Sequence, residues 1–195
     1  MNTLIKDLTD WTRQHGGHEK RSYLGLSQLH KSEDDLLSEL INGTPDIDDD
    51  SVLLLSMGYV IENDIRRRLQ GIGVAIPDTQ KEIVAHYDAR VRGHIDGLTC
   101  MPQQIYEIKS TKQEKLDYII QSNKLPTKDF MQIQAYLHHG KYKSCLVLYV
   151  ARDTGKFWMK ELWYIPAIGR QIEEKARRVL QVYDMMKNDA LIILK

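Results

Sequence analysis

The sequence predicts an α/β fold, a twisted mixed β-sheet of about five strands with helices on both sides. Two observations lead to this prediction. Short segments with the alternating or continuous apolar pattern of strands are interleaved with longer segments whose apolar residues recur at helical spacing. The run Ser144–Ala151 is apolar almost throughout, which is typical of a central strand covered on both faces. We expect a single domain, with N-terminal helices in residues 1–70 and the sheet with its helices in residues 71–195.

Three helices are predicted in the first 70 residues. The first spans residues 3–14, and the second begins at Ser32–Asp35, which has the pattern of a capping box. The third spans Ser51–Gln70, and its expected buried face consists of Leu54, Met57, Ile61, Ile65 and Leu69. The acidic run Asp46–Asp50 lacks the spacing of a calcium loop, so we expect it to cap the third helix.

The rest of the chain alternates between strands and helices. Strands are predicted at Glu82–Ala89, Val91–Leu98, Gln104–Lys109, Ser144–Ala151 and Phe157–Tyr164. Helices are predicted at Pro126–His139 and at residues 167–187. Between Ser110 and Leu125, a basic segment with Lys115, Tyr118 and Lys124 is either a border of a phosphate-binding cleft or an ordinary surface connection.

Two neighbouring strands carry a concentrated set of charged residues. Asp96 lies in the run Gly93–Gly97, and Glu107 and Lys109 lie in the run Tyr106–Ser110. Side chains alternate along a strand, so Glu107 and Lys109 share one face of the sheet, and Asp96 can reach that face from the adjacent strand. Three ionisable groups on one face are costly to bury without an ion. The sequence therefore predicts a metal site with a lysine beside it.

This pattern suits the hydrolysis of a phosphodiester, which needs a nucleophilic hydroxide and a partner for the charge that grows on phosphate. A hard divalent cation, Mg²⁺ or Mn²⁺, supplies both and prefers oxygen ligands. Asp96 and Glu107 would provide carboxylates, and the backbone carbonyl of Ile108 would be a third ligand. Lys109 would orient the attacking water, take its proton or stabilise the phosphate.

Two helices contribute further candidates. Glycine costs about 1 kcal/mol relative to alanine inside a helix, so we expect Gly58 to let its helix approach the sheet and bring Glu62 to the site. The alternative for Glu62 is a salt bridge to Arg66, four residues later on the same helix. In the helix after the two charged strands, Gln132 would bind a substrate phosphate or a metal-bound water, and Tyr136 would support the Glu107–Lys109 strand, unless both only pack behind the site.

Together, these motifs resemble the PD-(D/E)XK nuclease superfamily, and within it the RecB-like and lambda-type (YqaJ-like) phage exonucleases. The resemblance covers residues 21–161 and includes Gln132–Tyr136, which is similar to the QxxxY motif of RecB-like nucleases. It implies a restriction-endonuclease-like core and a role for Glu62 as an outer or direct ligand of a second metal ion. Lambda-type enzymes show Gln-x-Gln here, so Gln134 is an alternative to Gln132.

The resemblance also suggests residues that contact substrate. Arg21 and Ser27 lie in a segment that helps to hold the DNA end in lambda-type enzymes, and they become candidate phosphate contacts. Alternatively, Ser27 caps a helix and Arg21 is a solvated charge. His94 lies two residues from Asp96, so it faces the same side of the sheet. It would contact the site or a phosphate, and the alternative is a purely structural histidine.

The implied activity is metal-dependent exonucleolytic digestion of linear double-stranded DNA in phage-type recombination or repair, alongside a single-strand annealing protein. Lambda-type ring assembly, a homo-oligomer, is compatible with the chain but not implied by it. A structure- or site-specific endonuclease with the same chemistry is one alternative, and activity on closed circles would favour it. A non-catalytic nucleic-acid-binding module is another, but Asp96, Glu107 and Lys109 are all present.

Composition limits the remaining classes of function. The formal net charge is zero, so any affinity for DNA must come from local patches. The chain shows neither a membrane-length apolar run nor a signal-peptide pattern, so we expect a cytoplasmic protein, in the host cytoplasm if it is phage-encoded. Cys100 and Cys145 are expected to be reduced core thiols. Two cysteines cannot hold the four-cysteine iron–sulfur cluster of some RecB-like nucleases, so no such cluster is expected.

Overall fold

The structure is a computed structural model that describes residues 2–15, 21–46, 48–77 and 81–193. The described elements are α1 (Asn2–His15), β1 (Leu24–Gly25), a 3₁₀ helix (Leu26–Gln28), α2 (Glu33–Asn42), α3 (Asp49–Gly71), β2 (Lys81–Val84), β3 (Val91–Ile95), β4 (Gly97–Leu98), β5 (Ile105–Thr111), α4 (Gln113–Ser122), α5 (Thr127–Gly140), β6 (Ser144–Ala151), β7 (Phe157–Trp163) and α6 (Pro166–Ile193). The predicted α/β class is therefore confirmed.

The strands form two mixed sheets instead of the one sheet that was expected. The smaller has the order β1-β3-β2, and the larger has the order β4-β5-β6-β7, in which β5 and β6 are parallel. The predicted strand Val91–Leu98 is interrupted at Asp96, which separates β3 in one sheet from β4 in the other. The Asp96 carboxylate accepts a hydrogen bond from the Ile108 amide in place of a strand-to-strand bond. Two short strands therefore replace one long one.

The predicted strand Glu82–Ala89 is too long, because β2 ends at Val84. The chain turns at Asp88, whose carboxylate accepts a hydrogen bond from the Arg90 amide at 2.8 Å. The Asp88 carbonyl accepts another from the Val91 amide, and together these bonds close a turn that leads directly into β3. Local side-chain chemistry thus overrides the alternating pattern of this segment.

Helices cover both faces of the larger sheet. On one face, side chains of α2, α5 and α6 pack against Ile105, Val147 and Tyr149 in the main core. On the other face, Ile65 of α3 packs against a smaller group that includes Ile108 and the β6 residues Leu148 and Val150. The alternation of β5 and β6 thus divides the core into two layers. Among the described residues, no helix combines the length and the apolar character needed to cross a membrane.

The predicted buried face of α3 is correct only in its second half. Ile65 is buried and both Ile61 and Leu69 are partly buried, but Leu54 and Met57 are 44% and 52% exposed. Leu54 and Met57 are exposed because of the position of the helix: Gly58 already lies opposite Ser110, near the end of β5. The turns of α3 that precede Gly58 therefore extend past the sheet.

Other local predictions have mixed outcomes. Ser32 caps α2 by accepting a hydrogen bond from the Asp35 amide, as predicted, and Asp48 caps α3 in the same way. Cys145 is a buried free thiol, but Cys100 is free and exposed, so the expectation that it lies in the core is wrong. Cys100 follows β4 in the connection that leads to β5.

Two glycines of the Gly93–Gly97 run make room for aromatic rings. A Cβ atom on Gly93 would lie 2.9 Å from Cε1 of Tyr136, and a Cβ atom on Gly97 would lie 2.6 Å from Cε1 of Tyr106. Neither ring can withdraw freely, because both tyrosines are almost fully buried. Gly58 differs from them: a Cβ atom there would meet only Ser110 Oγ, at an ordinary 3.5 Å, so the expectation that close packing requires this glycine is wrong.

We predict that Gly97→Ala lowers the free energy of unfolding by about 1–3 kcal/mol, because the added methyl group overlaps the ring of Tyr106. Gly58→Ala serves as the matched control, since alanine is favoured over glycine by up to about 1 kcal/mol inside a helix. Urea unfolding followed by circular dichroism measures both changes. Equal stability of the two variants would contradict the proposed role of Gly97.

Candidate active site

The ten residues that the sequence predicts for the site all line one cavity of about 560 Å³. They are Arg21, Ser27, Glu62, His94, Asp96, Glu107, Ile108, Lys109, Gln132 and Tyr136. The cavity also has walls that were not predicted, formed by Ser22, Tyr23, Tyr59, Arg92 and Gly93. Of these, Arg92 had a recognisable signal, because it lies two residues before His94 on the same strand.

The centre of the cavity is the break between β3 and β4. Asp96 Oδ2 accepts a hydrogen bond of 2.7 Å from the Ile108 amide. The Asp96 carboxylate can reach this amide because β4 pairs with β5 only at Ile105 and Tyr106. The amide and carbonyl of one strand residue point to the same edge of the strand. The carbonyl of Ile108 therefore lies on the edge that faces Asp96, as its predicted role as a ligand requires.

Glu107 and Lys109 are tied to helix α5 through one glutamine. Glu107 is 1% exposed, and its Oε2 accepts hydrogen bonds from Lys109 Nζ at 2.9 Å and from Gln132 Nε2 at 3.2 Å. Lys109 Nζ also donates to Gln132 Oε1 at 3.1 Å, and Gln132 Nε2 donates to the Tyr136 hydroxyl at 3.2 Å. Gln132 thus fixes the acid and the lysine relative to each other.

The alternative glutamine, Gln134, lies elsewhere. It is fully buried, donates to the carbonyl of Trp163 at 2.9 Å and accepts from the Ile165 amide at 2.8 Å. These bonds attach α5 to the end of β7 and the start of α6. Gln134 is therefore a structural residue and does not line the cavity.

On the opposite wall, α3 contributes an acid and a cation. The Glu62 carboxylate contacts the Arg66 guanidinium, so the salt bridge considered from the sequence exists, and Glu62 also lines the cavity. Arg66 Nε donates to the backbone carbonyl of Asp96 at 3.2 Å. Arg66 therefore supports the break between β3 and β4, a role that the sequence gave no reason to expect beyond its spacing from Glu62.

The carboxylates of the site resist ionisation. Burial, followed by the negative charge of Asp96, raises the pKa of Glu62 to about 7 and that of Glu107 to about 8. Burial also raises the pKa of Asp96. For Lys109, burial alone would lower the pKa, but the charges of Glu107 and Asp96 outweigh it and the net shift is upward. If all three carboxylates were ionised, they would outnumber the two cations that contact the cluster, Lys109 and Arg66.

This donor set suits a hard divalent cation. The described residues contain no group of three histidine, cysteine or acidic side chains arranged as a ready metal cage. The predicted ligand set is different, because it combines the carboxylates of Asp96 and Glu107 with the carbonyl of Ile108. All three are oxygen donors, which Mg²⁺ and Mn²⁺ prefer, and a bound cation would relieve the unfavourable charge of the buried acids.

The rim of the cavity is basic. Arg21 is exposed. Arg92 lies over the ring of Tyr23, 4.4 Å from its centroid, and its Nη1 is 3.4 Å from Glu82 Oε1. The side chain of His94 is 56% exposed, with Nε2 3.9 Å from Glu82 Oε1. Ser27 does not cap a helix but lies within the short 3₁₀ helix. The rim therefore offers cationic and hydroxyl groups near the acidic centre.

We predict that Mg²⁺ raises the melting temperature more at pH 8 than at pH 6. In the unfolded chain Glu107 ionises near its ordinary pKa of 4.5, and in the fold near 8. Between these values the folded state holds the extra proton, so this group makes the metal-free protein less stable as pH rises. A cation binds the ionised form and removes that penalty. Differential scanning fluorimetry with and without Mg²⁺ at each pH measures the difference.

The control for this measurement is Glu107→Gln, which keeps the shape of the side chain but cannot ionise. In this variant the increase caused by Mg²⁺ should be small and should depend less on pH, because only Glu62 and Asp96 still ionise. An equal increase at pH 6 and pH 8, or a full increase in Glu107→Gln, would show that the cation binds elsewhere.

Comparison with known proteins gives similarity of structure only. No protein-family model and no curated protein matches the sequence. An alkaline exonuclease from Laribacter hongkongensis, LHK-Exo, superimposes with a TM-score of 0.70 at 16% identity over 89% of this chain and 96% of its own. The same enzyme has also been solved in complex with dAMP, with a TM-score of 0.68 at 16% identity over 88% of this chain and 95% of its own.

A second exonuclease shares the architecture. The phage-related exonuclease of Haemophilus somnus 129PT superimposes with a TM-score of 0.60 at 10% identity, over 86% of this chain and 96% of its own. Both likenesses extend over more than four fifths of the chain. The chain therefore has the fold of these two exonucleases.

Proposed function

We propose that the protein is a DNA nuclease that depends on Mg²⁺ or Mn²⁺ and digests linear double-stranded DNA from its ends. One observation carries this proposal: Asp96, Glu107 and Lys109 converge in a buried cluster beside Glu62, in a fold shared with two exonucleases. The preference for DNA ends rests on that likeness. The annealing protein, the oligomer and the setting in phage recombination stay predictions from the sequence.

Each residue of the cluster has a distinct part in this proposal. Asp96, Glu107 and the carbonyl of Ile108 would hold the cation, with Glu62 as an outer or direct ligand of a second cation. When bound, the cation would supply a hydroxide near neutral pH and a partner for the charge on phosphate. Lys109 stays charged because Glu107 and Asp96 raise its pKa, so it suits donation to the attacking water or to the phosphate better than removal of a proton.

Gln132 positions these groups. Its amide oxygen accepts a hydrogen bond from Lys109, and its amide nitrogen donates to Glu107. Groups that reach a reacting phosphate must be held within a fraction of an ångström. Because Gln132 bonds to both Lys109 and Glu107, it contributes to the rate of cleavage by holding them in place. Tyr136 supports Gln132 from the next turn of α5 and fills the space left by Gly93.

The rim supplies contacts for the substrate backbone. Arg21 and Arg92 are cations beside the acidic centre, and Ser27 and His94 add hydrogen-bonding groups. Contacts of this kind hold phosphates without reading the base sequence. The arrangement thus supports binding of a DNA backbone with its scissile phosphate at Asp96 and Glu107, without preference for particular bases.

We predict that Asp96→Asn and Lys109→Met each lower the rate of DNA digestion at least about 100-fold. Asparagine at position 96 still has an oxygen that can accept the hydrogen bond from Ile108, but it lacks the charge that binds a cation. Methionine at position 109 keeps the length of lysine without its ammonium group. Linear duplex, single-stranded and closed circular DNA are incubated with Mg²⁺, with Mn²⁺ and with a chelator.

The matched control is Lys143→Ala, because Lys143 is exposed and lies just before β6, away from the cavity. It should digest linear duplex DNA at the rate of the unaltered protein. Cleavage of closed circles would replace the exonuclease with an endonuclease of the same chemistry. Absence of cleavage with either metal, by protein shown to be folded, would refute the catalytic proposal and favour a binding module.

We predict that Gln132→Ala lowers kcat about 10- to 100-fold, as expected for a residue that orients metal ligands. The KM for linear DNA should change much less, because Gln132 contacts Glu107 and Lys109 and not the basic rim. Steady-state kinetics with a fluorescent linear duplex separates the two constants. A rise in KM with an unchanged kcat would instead assign Gln132 to substrate binding.

A further inference from the structure

We propose that a second, basic groove next to the active site binds the single-stranded part of the DNA substrate. The groove has a volume of about 740 Å³ and lies between the exposed half of α3 and the start of α4. The identity of its occupant rests on the proposed nuclease function, but its capacity to bind a nucleic acid can be tested separately.

The groove adjoins the active site along two elements that the cavities share. On α3, Tyr59 lines the active-site cavity and the preceding Gly58 lines the groove. On β5, Lys109 lines the active-site cavity and the following Ser110 lines the groove. The two cavities therefore lie next to each other along α3 and β5.

The charge of the groove matches that of a nucleic-acid backbone. Four cations line it, Lys112, Lys115, Lys128 and Arg152, against one carboxylate, that of Glu114. Within the described part of the chain, none of the four cations forms a salt bridge.

Most arginines elsewhere on the helices are neutralised. Arg67 and Arg68 bond to Asp64, while Arg177 and Arg178 bond to glutamates. The four groove cations therefore form a local positive patch on a chain whose net charge is zero. Phosphates are the partners that such a patch attracts, and their affinity depends on salt.

The apolar side chains of the groove favour a single strand over a duplex. Tyr118 is 68% exposed, and Leu54 and Leu55 on the facing wall are 44% and 45% exposed. A duplex presents mainly sugars and phosphates to a protein surface, whereas a single strand also presents the flat faces of its bases. Exposed aromatic rings beside lysines are the usual means of binding such strands without sequence preference.

The length of the groove suits a few nucleotides. From Glu62 in the active site to Leu55 in the groove, α3 rises about 10 Å, at 1.5 Å per residue. In a stacked DNA strand, the rise along the helix axis is about 3.4 Å per nucleotide. The groove therefore extends about three nucleotides beyond the scissile phosphate, and fewer if the strand is stretched.

The test measures binding without cleavage. Fluorescence anisotropy follows a labelled single strand of twelve thymidines and a 12-base-pair duplex, with chelator in place of metal, over a range of NaCl concentrations. Lys112→Ala and Lys115→Ala should each reduce the slope of log affinity against log salt by about 0.7 for the single strand. Tyr118→Ala should weaken single-strand binding at least about fivefold.

Lys143→Ala is the control, because this lysine is also exposed but lies nine residues before Arg152, at the opposite end of β6. It should leave both the slope and the affinity unchanged. Unchanged slopes in the Lys112 and Lys115 variants would overturn the proposal. Equal losses for single strand and duplex would overturn the assignment to single-stranded DNA.

Cleavage by the unaltered protein separates this inference from the proposed function. Digestion of linear DNA with unchanged binding in the groove variants would leave the nuclease and refute the groove. Altered salt slopes in the Lys112 and Lys115 variants, together with no DNA digestion by the unaltered protein with either metal, would support the groove as a nucleic-acid site and refute the nuclease.

Discussion

The geometry of the candidate site depends on one hydrogen bond, from the Ile108 amide to the Asp96 carboxylate. It occupies the position that a bond between neighbouring strands would fill if the strand Val91–Leu98 were continuous. A continuous strand would have closed the edge of β5, and the backbone around Ile108 would not face a cavity. The break therefore divides the strands into two sheets and opens the space between them. Fold and site have the same structural origin.

The same arrangement makes ionisation of the buried carboxylates energetically unfavourable. Glu62, Asp96 and Glu107 lie close together in a poorly solvated region, and their raised pKa values record the cost. Arg66 and Lys109 offset part of it through the contacts that also fix the backbone of Asp96 and the carboxylate of Glu107. Such clusters persist in proteins mainly at functional sites, where a ligand or ion completes the balance of charge.

Sequence reasoning succeeded where the relevant pattern is local. The alternation of a strand placed Glu107 and Lys109 on one face, where they share hydrogen bonds with Gln132. It failed where the outcome depends on the relative position of distant elements. The break at Asp96 depends on an amide twelve residues away, and the exposure of Leu54 depends on where α3 ends its contact with the sheet. No periodicity of the sequence encodes either distance.

The parallel pairing of β5 with β6 has a consequence for synthesis of the chain. Strand β5 pairs with β6 from Ile105–Cys145 to Thr111–Ala151, and α4 and α5 lie between the two strands in sequence. A nascent chain that stops before Ser144 therefore has no partner for this edge of β5. Asp96 and Glu107 both precede β6 in sequence, so the sheet that buries them is completed only after about three quarters of the chain has been made.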